Sequence, residues 1–381
     1  MKKYILGIIT ITLCLKVCYF IFSLCVAKFD SEYQTACTTS EFISVFKKND
    51  SFWYQKAAEE GYPKITNPAD LGYSSGKYFK QSVWAHFPLY PLLIRYTERL
   101  FNLNFDQSCF ILSIIFSLSS FIGFYLLCIH LLKINEKDSF VYTLTLMLFP
   151  FHYYFNMYYT EALFFTFLVF SFLSITKKNY WLTGLMLIPL TLVRPNGLIT
   201  IIPLFIYFME VEGGFKYFFN RYLKFDKVLI LKSLCFLSAP ITLGVYCLYQ
   251  KQMTNHYFAF VQAQYGWYKE FMFPFMGLFR RGDFTTQFNS IYVLVVMVLA
   301  VFIWKKLPLS LNVLIWISIL LPLASGSVAC MPRYISIVFP FTVFITSLFI
   351  KSKYRFFILG GLFCLQLLTF HPWLFEHPFS Y

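Results

Sequence analysis

Apolar residues along this chain fall into long runs separated by short polar breaks, a pattern that predicts membrane-crossing helices. A spanning helix needs about 20 predominantly apolar residues to cross about 30 Å of hydrocarbon. Eleven runs meet or approach that length, near residues 4–27, 108–132, 139–155, 160–176, 179–193, 196–210, 229–250, 289–304, 308–325, 333–350 and 354–370. The first follows Met1-Lys2-Lys3, is long for a signal-peptide core and has no small-residue cleavage site after it, so it reads as an uncleaved signal anchor. The two runs meeting at Arg194 read as two spans or as one broken, re-entrant segment. The predicted class is an all-α polytopic integral membrane protein forming a single domain over residues 1–381.

Orientation follows from the basic residues, which cytoplasmic loops collect. With the N-terminus inside, the short inner loops hold Lys2, Lys3, Lys133, Lys137, Lys177, Lys178, Lys216, Arg221, Lys224, Lys227, Lys232, Lys305, Lys306, Lys351, Lys353 and Arg355. The short outer loops hold only Arg194 and Arg333, and that imbalance fixes the expected topology. Two long segments, residues 28–107 and 251–288, then lie on the extracytoplasmic side. In the first, residues 41–60 alternate polar and apolar at helical spacing (Phe42, Val45, Phe46, Trp53, Ala57), as expected of a helix lying along the membrane surface. Gly61-Tyr62-Pro63 should stop it. A polar stretch, residues 64–81, leads to the aromatic and proline run from Trp84 to Pro91.

Composition agrees: 58% of the residues are hydrophobic and 13% charged, against about 45–50% and about 25% in soluble domains. The 22% aromatic content suits lipid-facing helices and interfacial belts. A net charge of +14 invites a nucleic-acid reading, but the basic residues are scattered through short loops between apolar runs, so topology explains them and no nucleic-acid partner is expected. Most of the ten cysteines sit inside apolar runs as small hydrophobes, while Cys37 and Cys330 fall in outer loops where they can reach one another only if the fold brings them close. No His or Cys set has metal-ligand spacing, so no metal site is expected and a divalent ion has no indicated ligands.

The notable polar residues outside helix cores all fall on the outer face: Asp50, His86, Glu161, Arg194, Gln264 and Arg333. Asp50 is either a general base held among aromatic rings or a solvated acid at a helix start. Arg194, in Val193-Arg194-Pro195-Asn196-Gly197, is either ion-paired with Glu161 or a fork for a lipid phosphate. Arg333 is a second phosphate candidate or a snorkelling interfacial cation. Glu161 opens a helix whose N-terminus favours its charge. His86 reads as a hydrogen-bonded loop residue, a general acid or a metal ligand.

The order of these motifs resembles the PIG-V-like mannosyltransferases of the GT-C glycosyltransferase class. The resemblance rests on Asp50-Ser51-Phe52-Trp53-Tyr54 continuing to Tyr62, then Phe87-Pro88-Leu89-Tyr90-Pro91, Tyr158-Tyr159-Thr160-Glu161, Arg194-Pro195-Asn196-Gly197 and Pro332-Arg333-Tyr334, with Gln264 and Trp267 as a further shared element. It departs at Asn49 and His86, where aromatic residues are expected. The resemblance implies a GT-C-like architecture of about 11 transmembrane helices with a long first extracytoplasmic loop. It implies transfer of mannose from a polyprenyl-phosphate donor to a glycan, lipid or protein acceptor on the extracytoplasmic side, while the compact chain and its Lys-rich, Phe-rich composition suggest a bacterial member in an inner membrane. Asp50 would be the catalytic base, Arg194 and Arg333 would hold the donor phosphate, and Trp53, Tyr54, His86, Tyr90, Glu161, Gln264 and Trp267 would contact substrate. The alternative is a transporter or flippase of a lipid-linked sugar, with Glu161 and Arg194 lining its path.

Overall fold

The computed structural model describes residues 1–71, 80–279 and 282–378; most of the polar 64–81 stretch (72–79) lies outside them. The described residues are helical and contain no strand. Among the described residues five helices are long and apolar enough to cross a membrane: Lys2–Phe29, Phe105–His130, Lys227–Thr254, Phe284–Lys306 and Arg355–Leu374. This is a helical, multi-pass membrane protein. Four shorter apolar helices, Glu161–Thr176, Tyr180–Val193, Leu309–Leu323 and Phe339–Phe349, coincide with other predicted runs.

The shortfall against eleven full spans has local causes. The run near 139–155 stays helical only over Glu136–Leu148, because Phe149 leaves helical geometry and Phe151 takes a left-handed backbone (φ 65°) before a 3-10 turn at His152–Asn156. The run near 333–350 divides into Met331–Ser336 and Phe339–Phe349, and Pro340, with no N–H to give, sits at the start of the second piece. The expected break at Arg194 is present, with Arg194 in extended conformation (φ −153°, ψ 154°). A second follows: Asn196–Val211 and Phe215–Leu223 meet at 87°.

The chain divides into two compact units, one made of residues 1–52, 93–169 and 329–381, the other of residues 53–92 and 170–328. In the first, Lys2–Phe29 packs on Phe105–His130, Glu136–Leu148 and Arg355–Leu374. Its buried side chains, Ile8, Thr12, Leu15, Lys16, Tyr19, Phe20, Ser23 and Val26, recur every three to four residues and so form one stripe. Leu6, Leu13, Val17 and Ile21 on the other side are exposed, as suits a lipid-facing surface. Phe105–His130 starts on an Asn104–Gln107 capping box and buries Ser113, Ser117 and Ser120 on one face. Small side chains there let neighbouring backbone approach: Ser117 Oγ donates to the Phe155 carbonyl at 2.6 Å and Ser120 Oγ to that of Ala162 at 2.8 Å.

In the second unit, Tyr180–Val193 packs on the Ser238–Thr254 part of the long helix, and Ile201–Val211 on Leu309–Leu323. Glu210 fastens the latter pair by accepting from the Ser310 backbone at 3.0 Å and its hydroxyl at 2.6 Å. Loop residues Ala57, Leu71, Val83, Trp84, Ala259 and Ala263 make a small core of their own.

The single surface helix expected over residues 41–60 is two helices, Thr39–Ser44 and Asp50–Glu59. Asn49, left-handed at φ 50°, turns the chain between them, and Asn is among the few residues that tolerate that geometry. Gly61 ends the second helix as expected, at φ 82°, with its N–H donated to the Ala57 carbonyl at 3.1 Å. All ten cysteines are free thiols, Cys37 and Cys330 included.

Candidate functional site

Three of the residues singled out from sequence meet in the first unit. Asp50 is the first residue of its helix, 29% exposed at the side chain; Glu161 opens Glu161–Thr176 and is fully buried; Arg333 lies in Met331–Ser336 and is 5% exposed. Arg333 Nη1 donates to Asp50 Oδ2 at 2.6 Å, and its Nε donates to Glu161 Oε1. The guanidinium carbon lies 4.0 Å from the centre of the Tyr159 ring, a cation–π arrangement. Tyr159 OH accepts the Asp50 backbone N–H at 3.4 Å. Burial first, and the Asp50 carboxylate second, push the Tyr159 phenol well above its ordinary pKa, so it stays neutral.

The scaffold around this cluster is tied down on each side. Tyr158 donates from its backbone to the Phe46 carbonyl and from its hydroxyl to that of Ile43, both at 3.1 Å, which anchors the segment leading to Asp50. Trp373 packs edge-on to Tyr159 at 5.1 Å and donates its indole N–H to the Val45 carbonyl at 2.9 Å. The serine stripe fixes the residues just before and after Tyr159 and Glu161 from behind.

Lys16 was not among the sequence candidates, although a lysine inside an apolar span is itself a signal. It is buried, donates at 2.9 Å to both Ser113 Oγ and the Asn156 carbonyl, and lies over the Phe46 ring at 4.7 Å. It thereby holds the end of the turn that leads into Tyr158-Tyr159-Thr160-Glu161.

Six further candidates converge in the second unit. Trp53 and His86 stack nearly parallel (5.9 Å, 10°), and Trp267 meets both edge-on at 5.3 and 5.4 Å. Tyr54 stands edge-on to His86 and to Tyr90. Tyr62 OH donates to the His86 carbonyl at 2.7 Å, and Gln264 Nε2 to the Ala85 carbonyl at 3.3 Å. Trp53, His86, Gln264 and Trp267 are only half-buried, so solvent reaches this aromatic platform. Gly266 brings the second loop against the first: a Cβ there would lie 2.7 Å from the Lys80 carbonyl and 2.8 Å from Gln81 Cα.

Arg194 caps Tyr180–Val193 and is buried. Glu161, considered as its partner, pairs with Arg333. The motif that follows Arg194 folds back on its own helix, since a Cβ on Gly197 would lie 2.0 Å from the Leu190 carbonyl. In the same unit an apolar groove of about 600 Å³, lined by Ile199, Trp304, Trp316, Leu320 and Ala324 among others, runs along Leu309–Leu323. Among the described residues no three His, Cys, Asp or Glu side chains gather as a metal site.

No family model matches the chain, and no curated protein matches it.

Proposed function

We propose that the chain is a GT-C-like mannosyltransferase that uses a polyprenyl-phosphate sugar donor on the extracytoplasmic side, with Asp50 as general base. The observation that carries the reading is the placement of Asp50 within the cluster. Arg333 binds two carboxylates, Glu161 fully buried and Asp50 with 29% of its side chain exposed, so Asp50 is the one open to solvent and, in this reading, to an acceptor hydroxyl.

In the reaction, an acceptor hydroxyl oxygen bonds to the anomeric carbon as the bond from that carbon to the phosphate oxygen breaks. The hydroxyl proton passes to Asp50, and polyprenyl phosphate leaves with the electron pair. Arg333 was a candidate for that phosphate, but its Nε and Nη1 already serve the two carboxylates. In this reading it orients Asp50, Arg194 keeps the donor-phosphate role that the resemblance implies, and the platform of Trp53, His86 and Trp267, backed by Tyr54 and Tyr90 and flanked by Gln264, is of a kind that suits a sugar ring.

The test is Asp50→Asn, which keeps a hydrogen-bond acceptor for Arg333 while removing the base. Purified protein should lose at least about 100-fold in transfer from polyprenyl-phosphate mannose, within the usual worth of a general base, and still insert and fold. Transfer at the wild-type rate would end the role assigned to Asp50. Movement of lipid-linked sugar across reconstituted liposomes without any glycosidic bond formed would favour the flippase alternative.

A further inference from the structure

The segment joining two apolar helices of the second unit carries a surface that the proposed reaction does not use. Asn196–Val211 ends at Glu212, the chain turns through Gly213 (φ 112°) and Gly214 (φ 86°), and Phe215–Leu223 leaves at 87° to the helix before it. The long apolar helix Lys227–Thr254 follows directly. A helix at right angles to a neighbour that runs along the bilayer normal lies in the membrane plane.

Its back is fixed to the protein. Phe218 is 2% exposed and packs on Phe205 and Phe208 at 5.9 and 5.6 Å. The corner is held by charge: Lys232 donates to both Glu212 oxygens at 3.1 Å, Arg221 Nη1 lies 3.6 Å from Glu212 Oε2, and Arg221 Nε donates to Asp226 Oδ2 at 2.7 Å. Those pairs use up both carboxylates of the corner.

Its front is different in kind. Phe215, Phe219, Tyr222 and Leu223 share one helical face and are exposed, Leu223 at 75%; Phe225 just beyond is 80% exposed. Flanking them, Lys216, Lys224 and Lys227 are exposed and make no ion pair among the described residues. Aromatic rings facing out beside unpaired lysines, on a helix at 87° to the apolar one before it, match the boundary where acyl chains meet anionic headgroups. We infer that Phe215–Leu223 is an interfacial helix that seats its Phe215–Phe219–Tyr222–Leu223 face in the bilayer and gathers anionic phospholipid through Lys216, Lys224 and Lys227.

Two experiments on the full chain test this. In native membranes, p-benzoyl-phenylalanine is placed at Phe219 and, separately, at Leu223, both exposed positions that leave the packed face untouched. Ultraviolet irradiation should give adducts with the mass of a phospholipid at both. Adducts to peptide, from a second copy or another protein, or none but water-quenched product, would overturn the assignment. In vesicles of equal parts phosphatidylcholine and phosphatidylglycerol, protein extracted with its bound lipid should retain phosphatidylglycerol above its bulk share. Each surface lysine is worth about a factor of five at an anionic surface, so the combined Lys216→Gln, Lys224→Gln, Lys227→Gln variant should lose about tenfold or more of that preference. The matching Arg variant should keep it. Undiminished preference in the Gln variant would refute the role of the lysines.

Discussion

Removing the guanidinium from the Asp50–Arg333–Glu161 cluster offers the sharpest check on its energetics. Arg333→Met retains an unbranched apolar stem of similar reach but strips Glu161 of the cation bonded to it. Glu161 is fully buried, and breaking a buried pair from one side costs about 3–5 kcal/mol because the remaining charge stays out of water. Asp50, with 29% of its side chain exposed, can recover hydration and adds little to that loss. Glu161→Gln, in contrast, leaves Arg333 bonded to Asp50 and should cost about 1–3 kcal/mol. Combining the two removes the stranded charge, so the double variant should be more stable than Arg333→Met alone, with a coupling of at least about 2 kcal/mol within the range known for groups in contact. The assay is unfolding of the purified protein by SDS titration in mixed micelles, for the wild type, both single variants and the double. Additivity to within about 0.5 kcal/mol would refute a direct, energetically significant Glu161–Arg333 pair.

Other expectations follow from close contacts. Gly197→Ala would force a Cβ to 2.0 Å from the Leu190 carbonyl, so the turn after Arg194 must open, costing about 1–3 kcal/mol or more and lowering the yield of folded protein in detergent. Gly266→Ala pushes on the Lys80 and Gln81 backbone and should part the two loops; the change to look for is in tryptophan fluorescence, since Trp267 then loses its contacts with Trp53 and His86. Unchanged emission would show that the loops yield elsewhere. Lys16→Met sheds two charge-assisted bonds of about 1.5–3 kcal/mol each but also a buried ammonium whose desolvation costs several. These oppose one another, so stability should stay within about 1 kcal/mol of wild type, and a loss above about 3 kcal/mol would mean that the ammonium itself holds the Asn156 turn.

Much of the helical layout was legible in the apolar runs, because run length and helix stops are local properties. Gly61 ends its helix through its own left-handed backbone, and the Arg194 break is marked by Pro195 and Gly197 on either side of Asn196. Where helices fell short, the deciding residues were also local but easily masked by hydrophobicity: Phe151 and Pro340 interrupt runs that remain apolar throughout. The pairing within the site is another matter. Asp50, Glu161 and Arg333 could each be chosen as a charge in an outer loop, yet nothing in the string says that Glu161 meets Arg333, 172 residues away, since that contact is set by how helices pack. Lys16 does not stand out in the sequence because it sits in a run whose hydropathy outweighs one charge. The six aromatic and amide candidates came from two distant loops, and their convergence depends on a close approach at Gly266 that hydrophobic patterning does not encode.

The same sequence separation has a consequence for how the protein is made. At about 5–20 residues per second, roughly 10–35 s pass between synthesis of Glu161 and of Arg333. During that interval the nascent chain holds a carboxylate destined for a fully buried position while its counter-ion has yet to leave the ribosome. Until then the Glu161 carboxyl either stays in water or carries a proton, and the first unit closes only when its last portion, from residue 329 onward, arrives. A chain cut short ahead of Arg333 would carry most of the apolar helices and still lack the cation bonded to Glu161, so this pair is among the last contacts of the first unit to form.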